Sequence, residues 1–237
     1  MKYELIAETS DYLIINKPAG LLSHGAEHIK EESLADLLKA EYPEIASAGE
    51  DPARPGMMHR LDKLASGLMV IARNYDSFFD LKRQFKERTV SKRYTALAFG
   101  KIEKDEGEIN FPIERSAKGH KMASRPGTKK GMPNFEDRHA ITHFDVLTRY
   151  VNYTLLKIKI ETGRTHQIRC HLSAYGNPLV GDDLYANKKT KIKNAKLQLG
   201  RIFLVADCLE FTDLNGERKK FAIDLPAELR SFLEKTH

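Results

Sequence analysis

Alternation of apolar and polar residues, repeated along the chain, is the feature that most limits what this sequence can fold into. Short segments marked by such alternation and by β-branched content predict β-strands. These segments lie near Tyr3–Ala7, Tyr12–Asn16, Leu68–Ala72, Arg93–Phe99, Ile141–Leu147, Tyr153–Ile160, Ile202–Phe211 and Lys219–Ile223. Val151-Asn152 and Asn215-Gly216 separate neighbouring segments and predict tight turns, so the strands on either side are expected to pair antiparallel.

Helical spacing of apolar residues occurs in a few segments between the strands. Helices are predicted over Ser33–Tyr42, over Asp76–Glu87, over Thr165–Tyr175 with Gly176 at its end, and from Pro226 onward. Strands in runs with scattered helices, without regular β-α alternation, predict an α+β fold with a mixed or antiparallel central sheet and flanking helices and loops. No internal repeat or linker is evident, so residues 1–237 are expected to form a single domain.

Composition narrows the class of protein. The 237 residues include 39 Lys+Arg and 33 Asp+Glu, a formal net charge of +6. The only cysteines, Cys170 and Cys208, are too few for a disulfide framework and are expected to be reduced. No apolar run approaches the length needed to cross a bilayer, and no apolar signal segment follows Met1. These features favour a cytoplasmic protein without a membrane partner.

The basic residues are concentrated in two segments without acids. Arg115–Gly131 contains Lys129 and Lys130, and Asn187–Arg201 contains Lys188 and Lys189. Both segments are poor in large apolar residues, which predicts exposed loops. Such loops suit contacts to phosphates, although charge alone is equally consistent with a solvated linker.

Common catalytic motifs find little support. The sequence contains no Gly-x-Ser-x-Gly motif, no phosphate-binding loop and no dinucleotide-binding glycine pattern. Potential metal ligands occur at His139, His143, His166, Cys170 and His171. Their spacing does not guarantee a shared ligand geometry, so no metal is expected.

Three polar constellations remain as candidates for chemistry. Asp62 lies in a polar loop just before an apolar strand, where Ser66 and Gly67 could fix its carboxylate; the alternative is a plain ion pair with Arg60.

The second constellation, Glu161–Leu172, is dense in hydrogen-bond donors, and its Arg164 and Arg169 suit anions or a carboxylate. The third is a strand that places Tyr94 beside Lys92 and Arg93, which suits stacking on a base. The alternative for Tyr94 is an ordinary half-buried core residue.

Taken in order, the motifs resemble the RluA-like family of pseudouridine synthases. The matching residues run from about Tyr12 to Tyr185 and comprise Asn16-Lys17-Pro18-Ala19-Gly20-Leu21, His59–Asp62, Lys92-Arg93-Tyr94, Gly163–Leu172 and Gly176–Asp182. One departure is Ala65, where the family often has threonine, and a local packing change is expected there.

The resemblance implies an isomerase without a cofactor, with a mixed-sheet catalytic domain of two lobes around an active-site cleft. Asp62 would be the essential carboxylate, ionised for attack at the sugar C1′, abstraction of a sugar proton or addition to uracil C6, three routes that stay open. Arg169 would hold the Asp62 carboxylate and keep its pKa low, Tyr94 would stack on the base, and Arg60 would enter the RNA stack when the uridine flips out.

The resemblance also implies an RNA partner. Contacts to the substrate are expected from His59, Arg60, Arg164, His166, Lys129, Lys130, Lys188 and Lys189. The first motif begins too early for an N-terminal S4 RNA-binding domain, so the catalytic domain would bind RNA alone, as a monomer. Ribosomal RNA is favoured over transfer RNA. The rival hypotheses are a non-catalytic RNA-binding or RNA-folding protein and a metal-dependent hydrolase using the histidines.

Overall fold

The chain divides into two compact units, each assembled from two stretches of sequence. The structure, a computed structural model, describes residues 2–25, 31–116, 121–124 and 139–236. Unit 1 consists of Met1–Lys92 and Ala206–Asp224, and unit 2 consists of Arg93–Val205 and Leu225–His237. The prediction of a single domain over residues 1–237 stays a prediction.

Unit 1 is built on antiparallel strands with helices beside them. Its elements are β1 (Glu4–Glu8), β2 (Tyr12–Lys17), α1 (Leu34–Glu41), a 3-10 helix (Pro43–Ser47), β3 (Ser66–Ala72), α2 (Tyr75–Lys86), most of β10 (Leu204–Thr212) and β11 (Arg218–Ala222). β2 pairs antiparallel with β1 and with β3, and β10 pairs antiparallel with β11. Phe78 and Leu81 of α2 pack with Tyr12, Val70 and Phe211 of the strands in one core cluster, so α2 buries its apolar face on this sheet.

Unit 2 contains a second set of antiparallel strands. Its elements are β4 (Ser91–Phe99, whose first residues belong to unit 1), β5 (Glu106–Ile109), β6 (Ile113–Arg115), β7 (Met122–Ser124), β8 (Thr142–Arg149), β9 (Tyr153–Ile160), α3 (Gln167–Tyr175), α4 (Lys188–Leu197) and α5 (Ala227–Glu234). β9 pairs antiparallel with β4 and with β8, and β8 pairs with β5. β6 and β7 form a separate antiparallel hairpin.

The predicted α+β architecture is confirmed, and so are most of its elements. Every predicted strand is present, with ends shifted by at most a few residues. Ser33 caps α1 with a reciprocal capping box to Asp36, and Gly176 ends α3 in the left-handed conformation at φ 101°. Val151 and Asn152 lie in the turn of the β8–β9 hairpin, as their position between two alternating runs predicted.

The loop prediction for the two basic segments is wrong in part. Residues 188–197 form the helix α4, which begins at the N-cap Asn187 with a capping box to Thr190. In the other segment Met122–Ser124 forms strand β7, and Lys129 and Lys130 lie outside the described residues. Short β5, β6 and β7 have no alternation long enough to reveal them in the sequence.

Both cysteines are buried free thiols, as expected. Burial in apolar surroundings raises the pKa of the Cys170 thiol to about 12, so it stays protonated. Within the described ranges, none of the helices combines the length and apolar character of a membrane span.

Candidate functional site

The loop that carries Asp62 is anchored on both sides of the aspartate. Ser23 Oγ accepts the Leu61 N–H at 3.2 Å and donates to the Leu61 carbonyl oxygen at 2.8 Å. The Gly20 N–H donates to the Lys63 carbonyl oxygen at 2.7 Å. Because its two neighbours are fixed by hydrogen bonds, the backbone of Asp62 is held in place in unit 1.

A buried lysine strengthens this anchor. The Lys17 side chain is fully buried, and its ammonium donates to the carbonyl oxygens of Pro18 at 2.9 Å, Leu21 at 2.7 Å and Lys63 at 3.4 Å. A buried ammonium needs such acceptors, because desolvation without them costs several kcal/mol. Lys17 therefore ties the end of β2 to the loop that carries Asp62.

His59 holds the start of the same loop to β3. Its Nε2 accepts the Val70 N–H at 3.1 Å, and its ring stacks on Phe85 with centroids 4.8 Å apart. Burial, with the nearby Lys92 ammonium, lowers the pKa of His59 to about 3, so the ring is neutral and acts as an acceptor. The structure thus gives His59 a supporting contact, and its contact with substrate stays a prediction.

Asp62 and Arg60 differ in their exposure. The Asp62 side chain is half-buried, and Arg60 is exposed with its Nη1 3.4 Å from His24 Nε2. The structure thus gives Arg60 a contact with His24, and the alternative of a plain ion pair with Asp62 stays open. Gly67, at the start of β3, has a φ of 127°, and a Cβ there would collide with the backbone of Ala206. Only glycine fits this position.

Tyr94 lies on β4 in unit 2, paired with Ile158 of β9 and largely buried. Its two cationic neighbours differ. Arg93 is exposed, whereas Lys92 lies with Nζ 5.3 Å from the Phe85 ring centroid, and burial lowers its pKa to about 8. The interpretations of Tyr94 as a core residue and as a stacking residue both stay open.

Arg169 is held by a buried carboxylate. On α3, its Nε donates to Asp182 Oδ2 at 2.7 Å and its Nη2 donates to Asp182 Oδ1 at 3.0 Å. The two side chains are 7% and 0% exposed. This bidentate geometry fixes the plane of the guanidinium. The interaction predicted between Arg169 and Asp62 stays a prediction.

Arg164 and His166 lie in the turn before α3, which one glutamine organises. Gln167 Oε1 accepts from the Arg164 N–H at 3.1 Å and from Thr162 Oγ1 at 2.7 Å, and its Nε2 donates to the Ile141 carbonyl oxygen at 2.9 Å. The Arg164 side chain is exposed, and its Nε donates to the His139 carbonyl oxygen at 3.4 Å. His166 has a positive φ of 54° and lies with Nδ1 3.1 Å from Tyr185 Oη.

The predicted phosphate-binding lysines Lys188 and Lys189 are exposed in the first turn of α4. Arg201, which ended the predicted basic segment, is not part of that surface. It is 8% exposed, and its Nη1 donates to Glu228 Oε1 at 2.8 Å. The predicted basic segment was therefore too long at its C-terminal end, because Arg201 is buried and pairs with the exposed carboxylate of Glu228.

The histidines considered as metal ligands have other partners. His171 lies between Thr142 Oγ1 at 2.9 Å and the Phe111 carbonyl oxygen at 2.8 Å, and His143 Nε2 lies 2.8 Å from Glu161 Oε1. Burial lowers the pKa of His171 to about 4, so it is a neutral structural residue. In the part of the chain that the structure describes, no group of three or more His, Cys, Asp or Glu side chains could hold a metal ion.

Sequence reasoning missed the supporting roles of Lys17 and Asp182, although both lie within quoted motifs. Each is a charged residue next to a glycine or proline at the end of an apolar run. That placement is a weak signal for a buried charge with backbone partners. The partners themselves are distant in sequence and are brought together only by the fold.

Comparison with known proteins gives a consistent result over most of the chain. The profile of a family described as RNA pseudouridylate synthase matches residues 11–174. The chain is 35% identical over 235 residues to the uncharacterized RNA pseudouridine synthase YlyB of Bacillus subtilis, covering 99% of this chain and 73% of that protein. It is 36% identical over 235 residues to the ribosomal large subunit pseudouridine synthase D of Nitrosomonas europaea, covering 98% of this chain and 64% of that protein.

Solved structures agree on the fold. Human RNA pseudouridylate synthase domain containing 1 superposes with a TM-score of 0.74 at 25% identity, covering 95% of this chain and 84% of the human one. Human RNA pseudouridylate synthase domain containing 4 superposes with a TM-score of 0.76 at 24% identity, covering 98% and 92%. The strand pairing described above is thus that of a pseudouridylate synthase domain.

Proposed function

Because the chain belongs to the RNA pseudouridylate synthase family of isomerases, we propose that it converts specific uridines of structured ribosomal RNA to pseudouridine, with Asp62 as the essential carboxylate. The reaction breaks the N-glycosidic bond of the uridine and reattaches the base through C5. No cofactor, metal or second protein is part of the proposal, and a monomer in the cytoplasm is expected to act on the RNA.

The observation that carries the proposal is the anchoring of the Asp62 loop. Hydrogen bonds at Leu61 and Lys63 fix the backbone on each side of Asp62, while its side chain is half-buried. A catalytic carboxylate must be held close to one geometry to act on a bound substrate. Burying the Lys17 ammonium under a surface loop without a function would cost free energy for no gain in activity. The hydrogen bond from Lys17 to this loop therefore favours a chemical role for Asp62.

The other roles follow from the side chains available. Tyr94 would stack on the flipped base, Arg169 would hold the Asp62 carboxylate and keep it ionised, and exposed Arg60 would fill the space that the uridine leaves in the RNA stack. Asp62 would act in its ionised form, because each of the three candidate routes uses a carboxylate as nucleophile or base.

Binding of the RNA is proposed to rest on cations outside the reacting group. Lys188 and Lys189 on α4, with Lys129 and Lys130, would contact phosphates, and Arg164, His166 and His59 would contact the substrate nearer the uridine. These contacts would be largely independent of sequence, so the choice of uridine would depend on the shape of the RNA.

The preference for ribosomal RNA is supported by relatives at similar identity that are named for the large ribosomal subunit, in Nitrosomonas europaea and Neisseria meningitidis. Transfer RNA is the second candidate, since the catalytic domain alone does not determine which structured RNA is bound.

The test is release of tritium from RNA labelled at uridine C5, with ribosomal and transfer RNA assayed separately. The wild-type protein is expected to release tritium from ribosomal RNA, and Asp62→Asn is expected to release none above background, because the amide can act neither as nucleophile nor as base. Asp224→Asn, which removes a carboxylate from an exposed residue, serves as the matched control and should retain activity.

Each result distinguishes the hypotheses. Release from transfer RNA alone would reassign the substrate. Equal activity of Asp62→Asn and wild type would contradict the role of Asp62. Tight RNA binding without release from either RNA would favour the non-catalytic RNA-binding protein.

A further inference from the structure

The short turn after α3, residues 181–185, surrounds the guanidinium of Arg169 on more than one side. Asp182 provides the bidentate pair from within this turn. Tyr185 lies across the guanidinium, with Arg169 Cζ 5.2 Å from the centroid of its ring. A carboxylate along one edge and an aromatic ring over one face restrict both translation and rotation of a planar cation.

Asp182 is itself locked in place by the turn that it supports. Its Oδ1 accepts the N–H groups of Leu184 at 3.0 Å and Tyr185 at 3.1 Å, besides the Arg169 Nη2. The side chain is fully buried. A buried carboxylate with this many donors has one favourable position. The position of the Arg169 guanidinium is therefore set by the conformation of the turn.

Tyr185 is fixed by contacts at both of its ends. Its Oη accepts the Met122 N–H of β7 at 2.9 Å and lies 3.1 Å from His166 Nδ1. Its carbonyl oxygen accepts from Ser173 Oγ of α3 at 2.9 Å. The ring over the guanidinium is therefore attached to the β6–β7 hairpin and to α3.

The same turn is joined to the basic helix. Buried Asn194 of α4 accepts the Gly181 N–H at 2.8 Å and donates to Asp183 Oδ1 at 3.1 Å. The turn thus contacts both α4, which carries proposed phosphate-binding residues, and the β6–β7 hairpin, as well as Arg169. A displacement of α4 or of the β6–β7 hairpin would therefore shift the turn and, with it, the Arg169 guanidinium.

From this arrangement we propose that Asp182 and Tyr185 are positioning residues, which hold the Arg169 guanidinium in a single orientation for the isomerisation. The proposal rests on the function proposed above for Arg169. Asp182 and Tyr185 have no contact with the substrate in this scheme, and they act only through Arg169.

A double-mutant cycle on the full chain tests the proposal. Asp182→Asn preserves an oxygen for the backbone amides but removes the charge and one acceptor of the bidentate pair. It is expected to lower kcat for tritium release about tenfold or more, with KM within about threefold. In an Arg169→Lys background the same substitution should lower kcat less than about twofold, because the geometry it supports is already lost. Asp224→Asn, an exposed carboxylate outside this turn, is the matched control.

A spectroscopic measurement makes the test independent of activity. The Arg169 Nε–H resonance, assigned by its absence in Arg169→Lys, should shift in Asp182→Asn and stay in place in Asp224→Asn. If Asp182→Asn does not fold, Tyr185→Leu, which removes the ring over the guanidinium, should shift the resonance and lower kcat more than Tyr185→Phe.

Outcomes for the two proposals are separable. Equal loss of kcat from Asp182→Asn in the wild-type and Arg169→Lys backgrounds, or an unmoved Nε–H resonance, would overturn the positioning role. A wild-type protein that releases no tritium from any RNA would overturn the proposed function, while the resonance would still decide whether Asp182 and Tyr185 orient Arg169.

Discussion

At the scale of single residues, two buried charges, those of Lys17 and Arg169, are matched by fixed partners. Lys17 has three carbonyl oxygens around its ammonium, and Arg169 has a bidentate carboxylate. Burial of either charge would be strongly unfavourable without those partners. Both residues belong to segments proposed to carry the chemistry. The desolvation cost of these two charges therefore falls where the function needs a fixed geometry.

Gly67 gives a prediction at the same scale. Gly67→Ala should lower the free energy of unfolding by about 3 kcal/mol, because the new methyl group would collide with the Ala206 backbone and φ is strongly positive. Gly216→Ala is the matched control, with a φ of 81° but no atom within 4 Å of the added Cβ, and should cost only about 1 kcal/mol. Urea denaturation measures both, and equal losses would contradict the steric argument.

At the scale of elements, α4 is a helix in which the charges of the first turn oppose its formation. Lys188 and Lys189 lie at its N-terminus, where the helix dipole disfavours cations, and its first turn has no acidic residue. Among the described residues none of its lysines forms a salt bridge. The capping box at Asn187 and buried Asn194 stabilise the helix instead. Lysines at a helix N-terminus lower the stability of the helix. Their presence there favours a polyanion as binding partner.

The corresponding prediction concerns the salt dependence of RNA binding. Replacing Lys188 and Lys189 together by Gln should weaken binding and reduce the slope of log K against log salt by about 0.7 to 0.9 for each phosphate that the variant no longer neutralises. Because both substitutions remove charge repelled by the dipole, the helix should not be destabilised.

Lys101→Gln with Lys104→Gln removes two exposed lysines of the same unit and serves as the control. Filter binding over a salt series measures the slopes. An identical slope for the α4 variant and wild type would show that α4 makes no phosphate contact.

How far the sequence predicts these elements depends on the kind of residue that each buries. β2 begins with four consecutive apolar residues, and β9 alternates apolar and polar residues towards its end, so the boundaries of both are close to those expected. α4 packs through Thr190 and Asn194, which are polar, so no apolar stripe marks it as a helix. The sequence pattern that does indicate this helix is the capping box, formed by Asn187 and by Thr190 three residues later.

The candidate site follows the same rule. The position of Asp62 in a polar loop before a buried strand was predictable because that placement is a local pattern, whereas its catalytic role stays a prediction. The pairing of Arg169 with Asp182, and of Ser23 with Leu61, depends on segments that only the tertiary structure brings together. Such contacts leave no periodicity in the sequence.

At the scale of the whole molecule, each unit contains a histidine that is neutral in the folded chain. Burial lowers the pKa of His59 in unit 1 to about 3 and that of His171 in unit 2 to about 4, from an ordinary value of 6.5. Below pH 6.5 the unfolded chain therefore binds protons that the folded chain does not. By linkage, stability must fall as the pH falls through this range.

We expect the midpoint of urea unfolding to decrease from pH 7 to pH 5, before most carboxylates titrate. His171→Gln, whose amide can still donate to the Phe111 carbonyl oxygen, should have a shallower decrease over the same interval. Urea titrations at intervals of pH measure both profiles, and parallel profiles would contradict the assignment of a neutral buried His171.

The discontinuous path of unit 1 has a consequence for synthesis of the chain. The residues that anchor the Asp62 loop leave the ribosome early and close together, but Ala206, which packs over Gly67, follows Ala72 by about 130 residues. At ordinary elongation rates that interval is roughly ten seconds. During it a nascent chain carries β3 without the segment that will cover it, and exposed strand edges invite pairing with other chains. Translation speed across unit 2 therefore sets how long the strand beside the proposed catalytic loop stays open to aggregation.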